Sequence, residues 1–98
     1  MNAATETYPY VEQTIRELLA EAVLTEPGEL DHLPAETSLF APEIGLESLS
    51  GMRLLAAVHR RFGVDVAAED LNLDALESIA ALTGFVATRV AEPPSDGP

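Results

Sequence analysis

One run of residues constrains this chain more than any other: Ser48 to about Phe62, apolar at helical spacing, with Ser48 at its start and Gly63 just past its end. Serine is a favoured helix cap, and glycine after the last periodic residue stops a helix. At about 100° per residue, Met52, Leu54, Leu55, Val58 and Phe62 share one broad face, expected to be the core face. Leu49, Arg53, Ala56 and Arg60 form a second stripe, expected to face solvent beside Ser48. A helix with one apolar face must be covered by other elements, so the remaining chain has to supply them.

Those elements are legible on both sides of the run. Thr7 suits a cap and Pro9 a first turn, and Val11, Ile15, Leu18, Leu19, Ala22 and Val23 then recur at helical spacing. The pattern predicts a first helix over Tyr8–Leu24, ended by Pro27 and Gly28, with Glu12, Gln13, Arg16, Glu17 and Glu21 on its solvent side. The connection from Thr25 to about Glu47 is long for a compact domain, and such loops carry function or local structure. Its Leu30, Leu33, Leu39, Phe40, Ile44 and Leu46 predict a segment that packs back on the helices, with Leu39 or Phe40 as anchor. After Gly63, Val64-Asp65-Val66 reads as an extended connection. The stretch from Glu69 to Leu76 reads as a short third helix or an irregular turn, and Ser78 as the cap of a last helix to about Arg89. Residues 1–6 and 91–98 are expected to be disordered ends around a domain at 7–90. Aromatic residues make up only 5% and the core must come from Leu, Val, Ile and Ala, so the expected class is all-α.

Composition removes several function classes. The formal net charge is -12, against nucleic acid and against anionic membrane surfaces, both of which need basic residues. There is no Cys, hence no disulfide, thiolate metal site or Cys nucleophile. The longest apolar run, Leu54–Val58, is too short to span a bilayer, and Met1–Tyr10 lacks the pattern of a signal peptide; a cytoplasmic location is expected. Ser48 has Leu46 and Ser50 two positions away, so it sits in no Gly-x-Ser-x-Gly elbow. The two histidines fit no triad or metal spacing: His32 reads as a solvated loop residue and His59 as a partly buried one at the edge of the core face.

The order long helix, long loop, Ser-initiated helix, short helix, last helix, with Gly45-Leu46-Glu47-Ser48-Leu49 at its centre, resembles the acyl carrier protein family, which includes the peptidyl carriers. Phe62-Gly63-Val64-Asp65-Val66 matches a further stretch of that family. The resemblance implies a four-helix acyl-carrier-type bundle with a long first loop and a short third helix. It implies a covalent 4′-phosphopantetheine arm on Ser48, taken from coenzyme A, which holds acyl or aminoacyl groups as thioesters. Implied partners are a phosphopantetheinyl transferase, a loading ligase or acyltransferase, and a downstream synthase or tailoring enzyme. The chain would be a monomeric carrier with no catalytic residues and no metal. An anionic phosphodiester suits a helix N-terminus, and the arm brings the thiol that this chain lacks.

Two departures qualify the match. Glu47 stands where the family has Asp; if that acid positions the transferase or its metal, the longer reach slows modification. The stripe Leu49, Arg53, Ala56, Arg60 is apolar and basic where carriers of fatty acid synthesis are typically acidic. That favours a discrete carrier of polyketide or nonribosomal peptide pathways, with Glu47, Leu49, Arg53, Ala56 and Arg60 as its recognition residues. Gly-Leu-Glu-Ser-Leu is nearer to acyl than to peptidyl carriers. Two readings stay open at this level: Ser48 as a mere helix cap, and the whole chain as an unmodified acidic adaptor that binds a partner through the same stripe.

Overall fold

In the computed structural model, residues 3–91 are described, and their side-chain surroundings over 7–90. The chain order is α1 (Ala3–Ala22), α2 (Ser48–Phe62), α3 (Val66–Glu69), a 3-10 turn (Asp74–Leu76) and α4 (Ile79–Ala91), with no strand among the described residues. α1 packs mainly on α4 and also on α2. Val11, Ile15 and Leu19 of α1, Leu54 and Val58 of α2, and Ile79, Leu82 and Val86 of α4 are all fully buried, with Leu39 of the connection among them. The class is the all-α bundle expected, and its third helix is short.

α1 begins at Ala3, ahead of the expected Thr7 cap, so Pro9 lies inside the helix and residues 3–6 are helical in backbone. Residues 1–2 and 92–98 of the two expected tails lie outside the described residues. The carboxyl end of α1 closes in a Schellman turn. Leu24 N–H donates to Glu21 O at 3.1 Å and Thr25 N–H to Ala20 O at 2.9 Å. Leu24 occupies the left-handed position, φ 63°, that glycine usually takes.

The long connection is held down at several points. Successive turns run through it, Glu29 N–H to Glu26 O and Leu33 N–H to Leu30 O among them. Leu30, Leu33, Leu39, Ile44 and Leu46 are buried; Leu39 is the anchor, and Phe40 is left exposed. Arg16, expected on the solvent side of α1, is buried beneath this segment. Its guanidinium donates to Leu33 O at 2.7 Å and to Leu30 O at 2.9 Å, and it pairs with Glu12 at 2.7 Å. The charge is satisfied at every side, which is what permits its burial. Farther along, the carbonyls of Thr37 and Ala35 accept from the first-turn N–H groups of Ile79 and Ala80, at 3.2 and 2.7 Å. The connection therefore caps α4 while Ser78 Oγ caps it from its own chain, accepting from Ala81 N–H at 3.0 Å.

α2 has the bounds expected, and Gly63 ends it at φ 73° with its N–H on His59 O at 2.8 Å. Its core face is Leu54, Ala57 and Val58, with Leu55 and Phe62 half-buried. Met52 points to solvent and His59 is exposed, contrary to the places expected for them. Val64-Asp65-Val66 is not extended throughout: Asp65 caps α3, its carboxylate accepting from Ala68 N–H at 3.1 Å, so the third helix starts earlier than Glu69.

Candidate functional site

The amino end of α2 is built by Glu47 and Ser50, and Ser48 takes no part in it. Glu47 is the N-cap, with extended backbone, and Ser48 is the first residue inside the helix. The hydroxyl of Ser50, itself buried, accepts from Glu47 N–H at 2.8 Å and donates to Glu47 O at 3.2 Å. The N-cap place expected of Ser48 is thus held by Glu47, one residue earlier, and Ser50 completes the cap by accepting the Glu47 N–H. The Ser48 side chain is exposed and makes no hydrogen bond among the described residues.

Two clefts flank this helix end. The first, of about 340 Å³, is lined by Ser48, Met52 and Leu55 of α2, by Phe40, Leu46 and, at its rim, Glu47 of the connection, and by Leu73 and Leu76 beyond α3. Its walls are almost wholly carbon. Leu73 holds φ 55°, and Asp70 fixes the turn by accepting from Ala75 N–H at 2.7 Å. Gly51 also lines it; a Cβ there would touch only the Leu46 side chain, at 4.0 Å. The second cleft, of about 370 Å³, lies across the helix end between Glu47, Leu49, Ser50 and Arg53 and the last turn of α1.

The recognition residues read from the sequence fall on different sides. Glu47, Leu49 and Arg53 meet in the second cleft, while Ala56 and Arg60 continue the exposed face along α2. Leu49 is 60% exposed. Arg53 is not wholly free, since it donates to the terminal carbonyl of α1, Ala22 O, at 3.4 Å. Arg60 has no partner among the described residues, and Arg61 reaches across to Tyr10 Oη at 2.7 Å.

The sequence reading missed Phe40, Met52, Leu73 and Leu76 as cleft residues. Met52 had a signal: it stands four residues, one turn, after Ser48 and so shares its side of the helix. Leu73 had none, because a left-handed leucine is not visible in spacing. His32 and His59 are both exposed, and no group of three metal-ligating side chains occurs among the described residues. No helix there is long and apolar enough to cross a membrane.

The family model described as the phosphopantetheine attachment site matches residues 13–86, from within α1 to within α4, with Ser48 inside the match. No curated protein and no solved structure matches the chain.

Proposed function

The chain belongs to the phosphopantetheine attachment site family, whose members are carriers and not enzymes, and on that premise we propose that Ser48 is the residue that bears the arm. The observation that carries the assignment is a serine hydroxyl exposed at the first position of α2, without a hydrogen-bond partner among the described residues, beside an apolar cleft. A structural serine at a helix start is normally bonded to the backbone, and here Ser50 does that work. Ser48 Oγ is left to displace adenosine bisphosphate from coenzyme A, forming the phosphodiester.

The residues present suit the group. The N-terminal turn of α2 faces an anion at Ser48 with its helix dipole. Met52, Leu55, Leu73 and Phe40 offer carbon surface to whatever hangs from it. When attached, the arm supplies a terminal thiol that carries cargo as a thioester. An apolar lining suits a hydrocarbon chain better than a charged amine, so acyl cargo is favoured over aminoacyl.

The finer assignment is a monomeric, cytoplasmic carrier, residues 7–90, of polyketide or nonribosomal peptide synthesis. The support is the charge of α2, which holds Arg53, Arg60 and Arg61 and no acid in a chain of net charge -12. Its loading ligase or acyltransferase and downstream synthase would meet Leu49, Arg53, Ala56 and Arg60.

The test is intact mass after incubation with a broad-specificity phosphopantetheinyl transferase and coenzyme A. The wild type gains one arm and Ser48→Ala gains none. If both gain it, the arm sits elsewhere. If neither gains it while a control carrier does, and Glu47→Asp does not restore the gain, the unmodified adaptor becomes the better reading.

A further inference from the structure

The described residues hold one sulfur atom. The chain has no Cys and two Met, and Met1 lies outside those residues, so the sulfur is that of Met52. Met52 is 66% exposed, open to small solutes. It stands four residues after Ser48, on the same side of α2, and both line the first cleft. Helical side chains lean toward the amino end of their helix, so Met52 extends back over the turn that begins with Ser48. Its side chain is unbranched and turns about three bonds, which gives the sulfur a wide reach. A thioether donates no hydrogen bond and accepts one only weakly, so Met52 as it stands leaves the Ser48 hydroxyl alone.

Resting on the assignment of the arm to Ser48, we propose that Met52 is a redox-sensitive modification site whose sulfoxide engages Ser48 and slows attachment of the arm. The oxidant is hydrogen peroxide. An S–O bond forms as the O–O bond breaks, the sulfur lone pair supplying the two electrons. The proton on the transferred oxygen moves to the departing hydroxide, which leaves as water; the thioether is oxidised and the peroxide reduced. The new oxygen is a strong acceptor on a wall of carbon. The other side chains of the cleft are hydrocarbon, apart from Glu47 at the rim, so among them only Ser48 has a hydroxyl hydrogen to give. That hydroxyl has no other partner among the described residues. A polar group against an apolar surface is stabilised by such a bond, and Ser48 Oγ–H donates to it. A sulfoxide oxygen is a good acceptor and too poor a base to take the proton. Before Ser48 Oγ can attack, its proton has to be released from that bond. A methionine sulfoxide reductase returns the thioether, the oxygen leaving as water, and resets the site.

The test treats the full, unarmed chain with hydrogen peroxide, removes the peroxide, and maps peptide masses so that Met52 and Met1 are scored separately. Met52 should gain one oxygen at a rate close to that of a free methionine derivative in the same tube. With a broad-specificity transferase and coenzyme A, the oxidised wild type should then take up the arm about threefold to tenfold more slowly, the worth of one hydrogen bond. Peroxide-treated Met52→Leu should match its untreated form, which removes Met1 as the cause. Methionine sulfoxide reductase should restore the wild-type rate. A Met52 that stays reduced while the free derivative is consumed overturns the proposal. So does an oxidised chain that takes up the arm within about twofold of the reduced one, or a Met52→Leu that peroxide slows as much as the wild type. Helix lost from the circular dichroism on oxidation would assign the slowing to unfolding and overturn it too. Each of these leaves the assignment of Ser48 standing, whereas a reduced wild type that gains no mass overturns that assignment and this proposal with it.

Discussion

The backbone N–H of Glu47 donates to the hydroxyl of Ser50 at 2.8 Å, and through that bond the helix bearing Ser48 begins without using Ser48 at all. Ser48→Ala should therefore leave stability within about 0.5 kcal/mol of the wild type while abolishing arm attachment. Ser50→Ala should show the reverse: a loss of about 1 kcal/mol in urea unfolding, with the arm still attached. Parallel denaturation and mass measurements on the two variants check both halves.

Arg16 is the polar anchor of the long connection. Arg16→Met removes the donor from the Leu30 and Leu33 carbonyls and leaves Glu12 unpaired. The expected cost is about 2–4 kcal/mol, well above that of a surface substitution. Hydrogen exchange should localise the loosening to the segment around residues 28–37 and not to α2.

Thr83 is fully buried and its hydroxyl finds no partner among the described residues. Thr83→Val keeps the shape and removes the unsatisfied group. The variant should be about 1 kcal/mol more stable, read as a higher urea midpoint at unchanged slope.

Leu24→Gly should stabilise the free protein by about 0.5–1 kcal/mol, since the Schellman turn then has its preferred residue and little buried area is lost. Calorimetry of the unmodified chain checks this apart from any partner.

The basic face of α2 should matter to whichever enzyme loads the arm. Arg53→Glu combined with Arg60→Glu should slow loading by the cognate partner about tenfold, mainly through association. An unchanged rate would remove Arg53 and Arg60 from the recognition surface.

The helices that sequence made legible are those whose signals are local. α2 was bounded at both ends because its periodicity, its preceding connection and Gly63 agree. The failures have a common cause in contacts between distant residues. Arg16 has the polarity of a surface residue, and only the connection folded over it, 14 to 17 residues on, makes it interior. Met52 and His59 lie within a helical face that looked wide enough to be core, but the elements packed on α2 cover only the sector around Leu54, Ala57 and Val58. The start of α3 was obscured because Val64 and Val66 alternate like a strand, while Asp65 between them is a cap. Of the proposed site, the assignment of Ser48 rests on its flanking residues in the sequence; the clefts on either side were not legible there, since each joins segments that are far apart in the chain.

The clamps on the long connection have a consequence for how such a protein could change. Arg16 grips it from α1, and the first-turn amides of Ile79 and Ala80 grip it from α4. None of these holds comes from α2, whose polar ties to the other helices among the described residues are the long bond from Arg53 to Ala22 O and the bond from Arg61 to Tyr10. The frame is thus closed away from α2, and α2, the proposed recognition helix, is fastened chiefly by the burial of Leu54, Ala57 and Val58. Keep those three, and the outer face of α2 becomes an interchangeable cassette: a lineage, or an engineer, could rewrite which enzymes the molecule answers to without renegotiating the chassis.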